Sequence, residues 1–296
     1  YIETINFSFV EERWEHELAG NANPIKLLNP IASQMSVMRS SLLGSLLQVL
    51  KFNLDRKAPR INVFELGRVF LRDAASQNTD TTVAGFHQPM RVAGLAYGPR
   101  SALGWDNSGK NVDFFDIKGD LEALLTPLSP EFASAEHAAM HPGRCASVAL
   151  EGKVIGFVGE LHPKWRQVYE LSQAPLVFEL ELDAVLKRLV PVFANVSKLQ
   201  PVERDIAVIV PEAVTHSALL DAIYAADTNG LLRDATLFDV YRPQSGSAGM
   251  SAGEKSLAVR LALTSDSATL TEEVIEATVQ AVIIQLQQQL HARLRG

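Results

Sequence analysis

From Ser40 onward, apolar residues recur at steps of three and four, at Leu42, Leu43, Leu46, Leu47, Leu50 and Leu54. This period predicts a helix with a broad apolar face, preceded by the turn signal Asn29-Pro30. Such a helix is by default part of a core; the alternative is a helix shared with a partner subunit. The pattern then changes. "RINVFELGRVFL" and "MRVAGLAYG" are rich in β-branched and aromatic residues and read as strands. "CASVALEGKVIGFVGELHP" reads as a hairpin folded at Glu151-Gly152. "VDFFDIKGDLEALLTPL" is expected to start extended and become helical near Lys118, and "APLVFELELDAVLKRL" to run from a strand into a short helix. Strands with helices outside a strict βαβ rhythm predict an α+β domain on a largely antiparallel sheet.

The stretch "VPVFANVSKLQPVER", 190 to 204, carries two prolines among polar punctuation and reads as a linker. It divides the chain into expected domains at 1–193 and 197–296. The second has the order strand (Ile206 to Val210), helix (Thr215 to Ala226), strand (Ala235 to Tyr241), strand (Lys255 to Leu263) and helix (Glu272 to Leu290), with a further short strand at "ARLR". That is the ferredoxin-like split βαβ order, βαββαβ. Thr269 to Glu272 is a candidate capping box for the last helix.

The composition is that of a globular protein: 296 residues, 47% hydrophobic and 21% charged. The single cysteine, Cys145, excludes an internal disulfide and fits a reducing, cytoplasmic compartment. No run approaches the ~18 apolar residues of a membrane helix. The acidic opening residues lack the basic start of a secretory signal, and a chain opening on Tyr1 is expected to be a piece of something longer. A net charge of −7 argues against a general nucleic-acid binder but leaves room for one that reads a few exposed bases.

Candidate chemistry is sparse. "GMSAG" matches the nucleophile-elbow pattern around Ser251, but a polar loop precedes it and a strand is expected after it, the reverse of what an elbow needs. His137 and His141 have i, i+4 spacing, but the glutamate of a zinc helix is absent and Pro142 would end the helix at once. Asp113, Asp116 and Asp120 could do acid–base work or hold Mg²⁺, yet capping the helix that follows is the simpler role. There is no P-loop and no G-x-G-x-x-G. The expectation is no catalytic residue and no metal site in this chain, hence a scaffold or binding module.

Ten stretches, in order along the chain, carry a resemblance. They are "INFSFV", "NPIASQMSVMRSSLLGSLL", "FELGRVF", "VDFFDIKGDLE", "HPGRCA", "GFVGELHP", "RDIAVIV", "LFDVY", "KSLAVRL" and "TLTEEV". Together they resemble the β subunit of bacterial phenylalanyl-tRNA synthetase, in its C-terminal part, without the upstream editing and helix-turn-helix portions. The resemblance implies a class II synthetase-like antiparallel sheet with flanking helices that has lost its chemistry, followed by a ferredoxin-like anticodon-binding domain. "FELGRVF" would be a vestige of the second class II motif, so Glu65 and Arg68 are not expected to hold ATP. The fragment would bind no cofactor, ATP and Mg²⁺ being used by the assembled (αβ)₂ heterotetramer. Its partners would be the α subunit and tRNA(Phe), with no membrane. Leu42, Leu46 and Leu50 fall where the family builds subunit contacts.

Tyr241 and Ser256 close the expected hairpin of the second domain at one end of two adjacent strands. The family's anticodon contacts match these two positions, the ring as a platform for an unstacked base and the hydroxyl for its edge. From the residues alone they would be a sheet-end cover and a strand start. Two readings of other classes stay beside this one: a small-molecule regulatory module on the split βαβ unit, and a serine hydrolase through Ser251.

Overall fold

Ile61–Arg68 alternates buried and more accessible residues along its whole length, so one face of this strand is committed to a core and the other is not. In this computed structural model, which describes residues 1–80, 82–102, 104–105, 109–193, 197–243, 250–251 and 253–295, the strand belongs to the first of two compact units, Tyr1–Val190 and Pro191–Gly296.

In the first unit the short strands β1 (Ile2–Glu3), β2 (Phe9–Val10), β3 (Ile25–Lys26) and β4 (Val37–Met38) accompany helix α1 (Glu12–Glu17) and lead into helix α2 (Leu43–Leu54). Strands β5 (Ile61–Arg68), β6 (Leu71–Arg72), β7 (Phe86–His87) and β8 (Met90–Tyr97) follow, then helix α3 (Phe114–Leu125). After these come β9 (Glu131–Ser134), β10 (Met140–Leu150), β11 (Lys153–Leu161), α4 (Pro163–Val168), β12 (Leu176–Glu181) and α5 (Leu182–Val185). Seven strands form one sheet in the order β1-β5-β8-β12-β11-β10-β9. The β1–β5 pair is parallel and the other pairs are antiparallel. The β10–β11 hairpin turns at Glu151 and Gly152, both with positive φ, as a two-residue turn matched to strand twist requires.

Each face of this sheet has its own core. On one, α2 packs Leu42, Leu43, Leu46, Leu47 and Leu50 with Ile61, Val63, Leu95 and Val177. On the other, Ile117, Leu121 and Leu125 of α3 pack with Val92, Val158 and Phe178. Helix α3 starts at Phe114, not near Lys118 as the pattern suggests. Asp113 accepts from the amides of Phe115 and Asp116, while the Asp116 carboxylate accepts from the Asp113 amide. This reciprocal cap satisfies donors that would otherwise be orphaned, so the helix can begin four residues earlier.

Helix α2 is started differently. Leu42 stands at its N-cap and has no side chain for the task. The carboxylate of Glu179, on β12, instead accepts from the Leu42 amide at 2.6 Å and from the Ser41 hydroxyl at 3.2 Å, and binds Arg91 at 2.7 Å. Glu15 accepts from the Ser40 amide at 2.8 Å. Arg39 pairs with Glu65 at 2.7 Å, and Asn6 donates to the other oxygen of that carboxylate. Buried carboxylates on a helix and two strands thus hold the entry to α2, each with its lone pairs used, as buried charge requires.

The second unit contains β13 (Val202–Pro211), α6 (His216–Tyr224), β14 (Leu232–Tyr241), β15 (Glu254–Leu263), α7 (Glu272–Leu290) and β16 (Arg293–Leu294). Its sheet has the order β14-β15-β13-β16 and is antiparallel throughout. Leu219 and Ile223 of α6 and Ile275, Val282 and Leu286 of α7 pack with Val208, Leu257, Val259 and Leu261. Both helices therefore cover one face of the sheet. Thr271, not Thr269, is the N-cap of α7 and makes no side-chain cap bond, so the expected capping box does not form. The helix ends at His291 in the left-handed conformation, which turns the chain back so that β16 pairs with β13.

Candidate functional site

Strand β15 is two-faced. Leu257, Val259, Leu261 and Leu263 point into the helices, so Ser256, Ala258, Arg260 and Ala262 point to the opposite, uncovered face. Tyr241 lies directly across from Ser256 in the register of β14 on β15. The sheet thus brings the two together, with Tyr241 38% exposed. Ser256, however, is only 2% exposed. The group beside it is Arg295, at the end of the chain, whose Nη1 lies 3.5 Å from the Ser256 hydroxyl and whose guanidinium carbon stands 4.8 Å over the Tyr241 ring. The Arg295 amide donates to the Ala207 carbonyl at 2.9 Å, anchoring this residue beside the sheet. Reasoning from the sequence missed Arg295. The signal available was the short strand at "ARLR", whose pairing with β13 brings the C-terminal arginines to the open face.

Further along the same face, Arg260 makes a bidentate pair with Asp205, at 2.8 and 2.9 Å, and stands 5.5 Å from the Phe238 ring centroid. Hydrogen bonds from Arg260 hold the Asp205 carboxyl below its usual range. Arg293 pairs with Glu254, and Arg242 with Glu212.

The first unit offers a different surface. A cleft of ≈ 930 Å³ opens where β8, β11 and α5 meet, lined in part by Arg68, Arg91, Lys153, Glu181 and Lys187. Three of its cations are paired with carboxylates: Lys153 with Glu181, Lys187 with Glu151, and Arg91 with Glu179. Arg68 donates to the Gln88 carbonyl. Glu65 is buried against Arg39 and faces no open site.

Other candidates resolve into local structure. His137 and His141 lie on no helix; each imidazole Nδ1 accepts a nearby amide, from Ala139 and Gly143 respectively. Burial pushes the His137 pKa down. Among the described residues no group of three or more His, Cys, Asp or Glu is placed to hold a metal. Asp116 pairs with Arg100, and Asp120 accepts from the Tyr1 hydroxyl. Ser251 donates its amide to Glu254, where β15 begins, so a strand and not a helix follows it; Gly249 and Ala252 of that pattern lie outside the described residues. Loop residues 244–249 lie outside them as well.

Leu42, Leu46 and Leu50 are 0, 0 and 1% exposed. The first unit's own sheet takes up their apolar face, so the expectation that they present a surface to another subunit is corrected: they are core. Large apolar side chains do reach solvent nearby, at Ile5, Phe7, Leu28 and Ile31, which are 92, 66, 98 and 81% exposed.

An antiparallel sheet in βαββαβ order with both helices on one face is a ferredoxin-like fold, and here an aromatic ring, a hydroxyl and a guanidinium meet on the other face. The family model described as "Ferredoxin-fold anticodon binding domain" matches residues 197–295, and that described as "Phenylalanyl tRNA synthetase beta chain CLM domain" matches residues 1–182. The chain belongs to the phenylalanyl-tRNA synthetase β-chain family. It is 50% identical over 300 residues to the phenylalanine–tRNA ligase β subunit of Cupriavidus pinatubonensis, a match covering 100% of this chain and 37% of that protein. It is 49% identical to the corresponding subunit of Burkholderia lata, with the same coverage. To that of Chromobacterium violaceum it is 49% identical over 295 residues, covering 100% of this chain and 36% of that protein. The chain therefore spans little more than a third of the length of these relatives. A solved pyrrolysyl tRNA synthetase from Desulfitobacterium hafniense aligns with TM-score 0.42 and 11% identity, over 63% of this chain and 60% of that one, too loosely to add to the fold described above.

Proposed function

We propose that this chain is a non-catalytic part of a phenylalanine–tRNA ligase, which recognises the anticodon of tRNA(Phe) and supports a catalytic α subunit. The observation that carries this reading is the half-exposed Tyr241 ring beside Ser256 on the uncovered face of the second sheet, within a matched anticodon-binding domain. An unstacked base lies on an aromatic ring whatever its sequence, and a hydroxyl beside the ring can donate to or accept from the base edge. The first unit is proposed to have a class II synthetase-like sheet without the chemistry. Two features support this: buried Glu65 and Glu179 are tied to Arg39 and Arg91, and Lys153 and Lys187 in its cleft are already paired with carboxylates. ATP and Mg²⁺ would be used by the α subunit of an (αβ)₂ assembly in the cytoplasm. The exposed Ile5, Phe7, Leu28 and Ile31 are the surface we assign to subunit contact in place of the buried leucines. Among the described residues no helix is long and apolar enough to cross a membrane.

Co-expression with the α subunit tests the reading. A complex that charges tRNA(Phe), and a Tyr241→Ala complex with a raised KM for tRNA and unchanged ATP–pyrophosphate exchange, are the expected results. Exchange above background by this chain alone with phenylalanine would refute the non-catalytic part of the reading.

A further inference from the structure

The second unit is acidic, with eight Lys and Arg against twelve Asp and Glu from Ser197 to Gly296. A polyanion would be repelled by it unless some cation stands uncommitted. Arg204 pairs with Glu272, Arg233 with Asp266, Arg242 and Lys255 with Glu212, Arg260 with Asp205, and Arg293 with Glu254. Among the described residues only Lys198 and Arg295 lack a carboxylate partner. The unit's residues outside that description, 194–196, 244–249, 252 and 296, include no Asp or Glu. Lys198 is exposed in the segment before β13, whereas Arg295 stands over Tyr241 and against Ser256.

That juxtaposition sets a problem for the proposed anticodon reading. Ser256 is covered, and one face of the Tyr241 ring carries a guanidinium. A base cannot hydrogen-bond to the hydroxyl while Arg295 lies against it. The backbone of Arg295 is held to Ala207, but its side chain is long and has no ion pair to retain it. A cation–π contact at an exposed site holds only weakly, and the 3.5 Å approach to Ser256 is at the outer limit of a hydrogen bond.

We propose that Arg295 is a placeholder and a phosphate contact. In the free protein its guanidinium covers the Tyr241–Ser256 pair. When RNA binds, it swings off and pairs with the backbone phosphate next to the base that replaces it. Guanidinium suits this exchange because it stacks on an aromatic face and also grips phosphate through parallel donors. This inference rests on the anticodon reading of Tyr241 and Ser256, and adds to it the one uncommitted cation at that site.

The test is binding of a fluorescent anticodon stem-loop of tRNA(Phe) to the full chain across a series of salt concentrations. Removing one cation from the phosphates of a single strand should flatten the slope of log K against log salt by about 0.7. Arg295→Gln is expected to weaken binding at low salt, to flatten the slope by about that amount, and to approach the unaltered protein as salt rises. Arg295→Lys should keep the slope, because it keeps the charge. Tyr241→Ala should weaken binding at every salt concentration with the slope unchanged. Weakened or unchanged binding of Arg295→Gln with an unaltered slope would overturn the phosphate contact while leaving the anticodon reading standing. An unaltered chain that does not bind the stem-loop, or a Tyr241→Ala chain that binds it as well as the unaltered one, would overturn the anticodon reading and this inference with it.

Discussion

The two sheets treat charge in opposite ways. In the first unit, carboxylates lie inside, at Glu15, Glu65 and Glu179, and each is tied to an amide or a guanidinium that fixes the entry to α2. On the uncovered face of the second unit's sheet the charged groups are exposed, and Arg260 and Asp205 bind each other there. A buried pair that loses one partner leaves an unpaired charge where water cannot reach it, whereas an exposed pair simply returns to water. The first arrangement builds structure; the second leaves a surface whose uncommitted groups are available to a ligand. The fold classes do not reveal this difference, since both units are α+β with largely antiparallel sheets. It lies in whether the polar residues of each sheet face a second layer.

The comparison would break first at Glu179. Glu179→Ala removes the acceptor for the Leu42 amide and the partner of Arg91, and should cost about 3–5 kcal/mol in denaturant unfolding. A cost below about 1 kcal/mol would mean that this carboxylate behaves as the surface ones do. Leu46→Ala in the adjoining core should cost about 2–5 kcal/mol. Assembly with the α subunit should then fail only in proportion to lost stability, whereas an Ile5→Asp or Leu28→Asp chain should unfold normally yet assemble poorly.

In the second unit the larger effects should fall on binding, not stability. Tyr241→Ala should weaken tRNA binding by about 1–3 kcal/mol with the thermal midpoint of the chain nearly unchanged. Ser256→Ala should cost on the order of 1 kcal/mol of binding, the value of a single hydrogen bond, and unchanged binding would leave Ser256 as a residue that only seats Arg295. The smallest effect concerns pH. Because Arg260 lowers the folded-state pKa of Asp205, that carboxylate's contribution is present above its unfolded value of 3.8 and is lost as pH falls through the folded value. Asp205→Asn should therefore remove a small contribution at neutral pH, small because the pair is exposed, and make stability a shallower function of pH below about 4, so that the two chains converge at the acid end.

Much of the architecture was legible because its signals are local. The Glu151-Gly152 turn, the three- and four-residue period of α2, the Asp113 cap and the strand-helix-strand-strand-helix order of the second unit are each written within a few adjacent residues. Even "ARLR" showed its short strand. The same locality misled at Lys118, because the Asp113–Asp116 cap lets the helix begin sooner than its apolar pattern shows. It misled again at Thr269, where a matching spacing stands just short of the real start of α7 at Thr271.

Of the candidate site, the sequence by itself determined that an aromatic residue and a hydroxyl would lie at the same end of neighbouring strands, since antiparallel pairing across one loop requires it. Tertiary structure alone decided what surrounds them. Glu179 caps a helix whose N-cap amide is 137 positions away in the chain. Arg295 reaches Ser256 across 39 positions because the chain turns back at His291 to pair with β13. Whether the apolar stripe of α2 met its own sheet or another subunit also depended on strands far along the chain. Periodicity fixes which side of an element is apolar, but the partner that covers it is set by the order in which distant strands assemble.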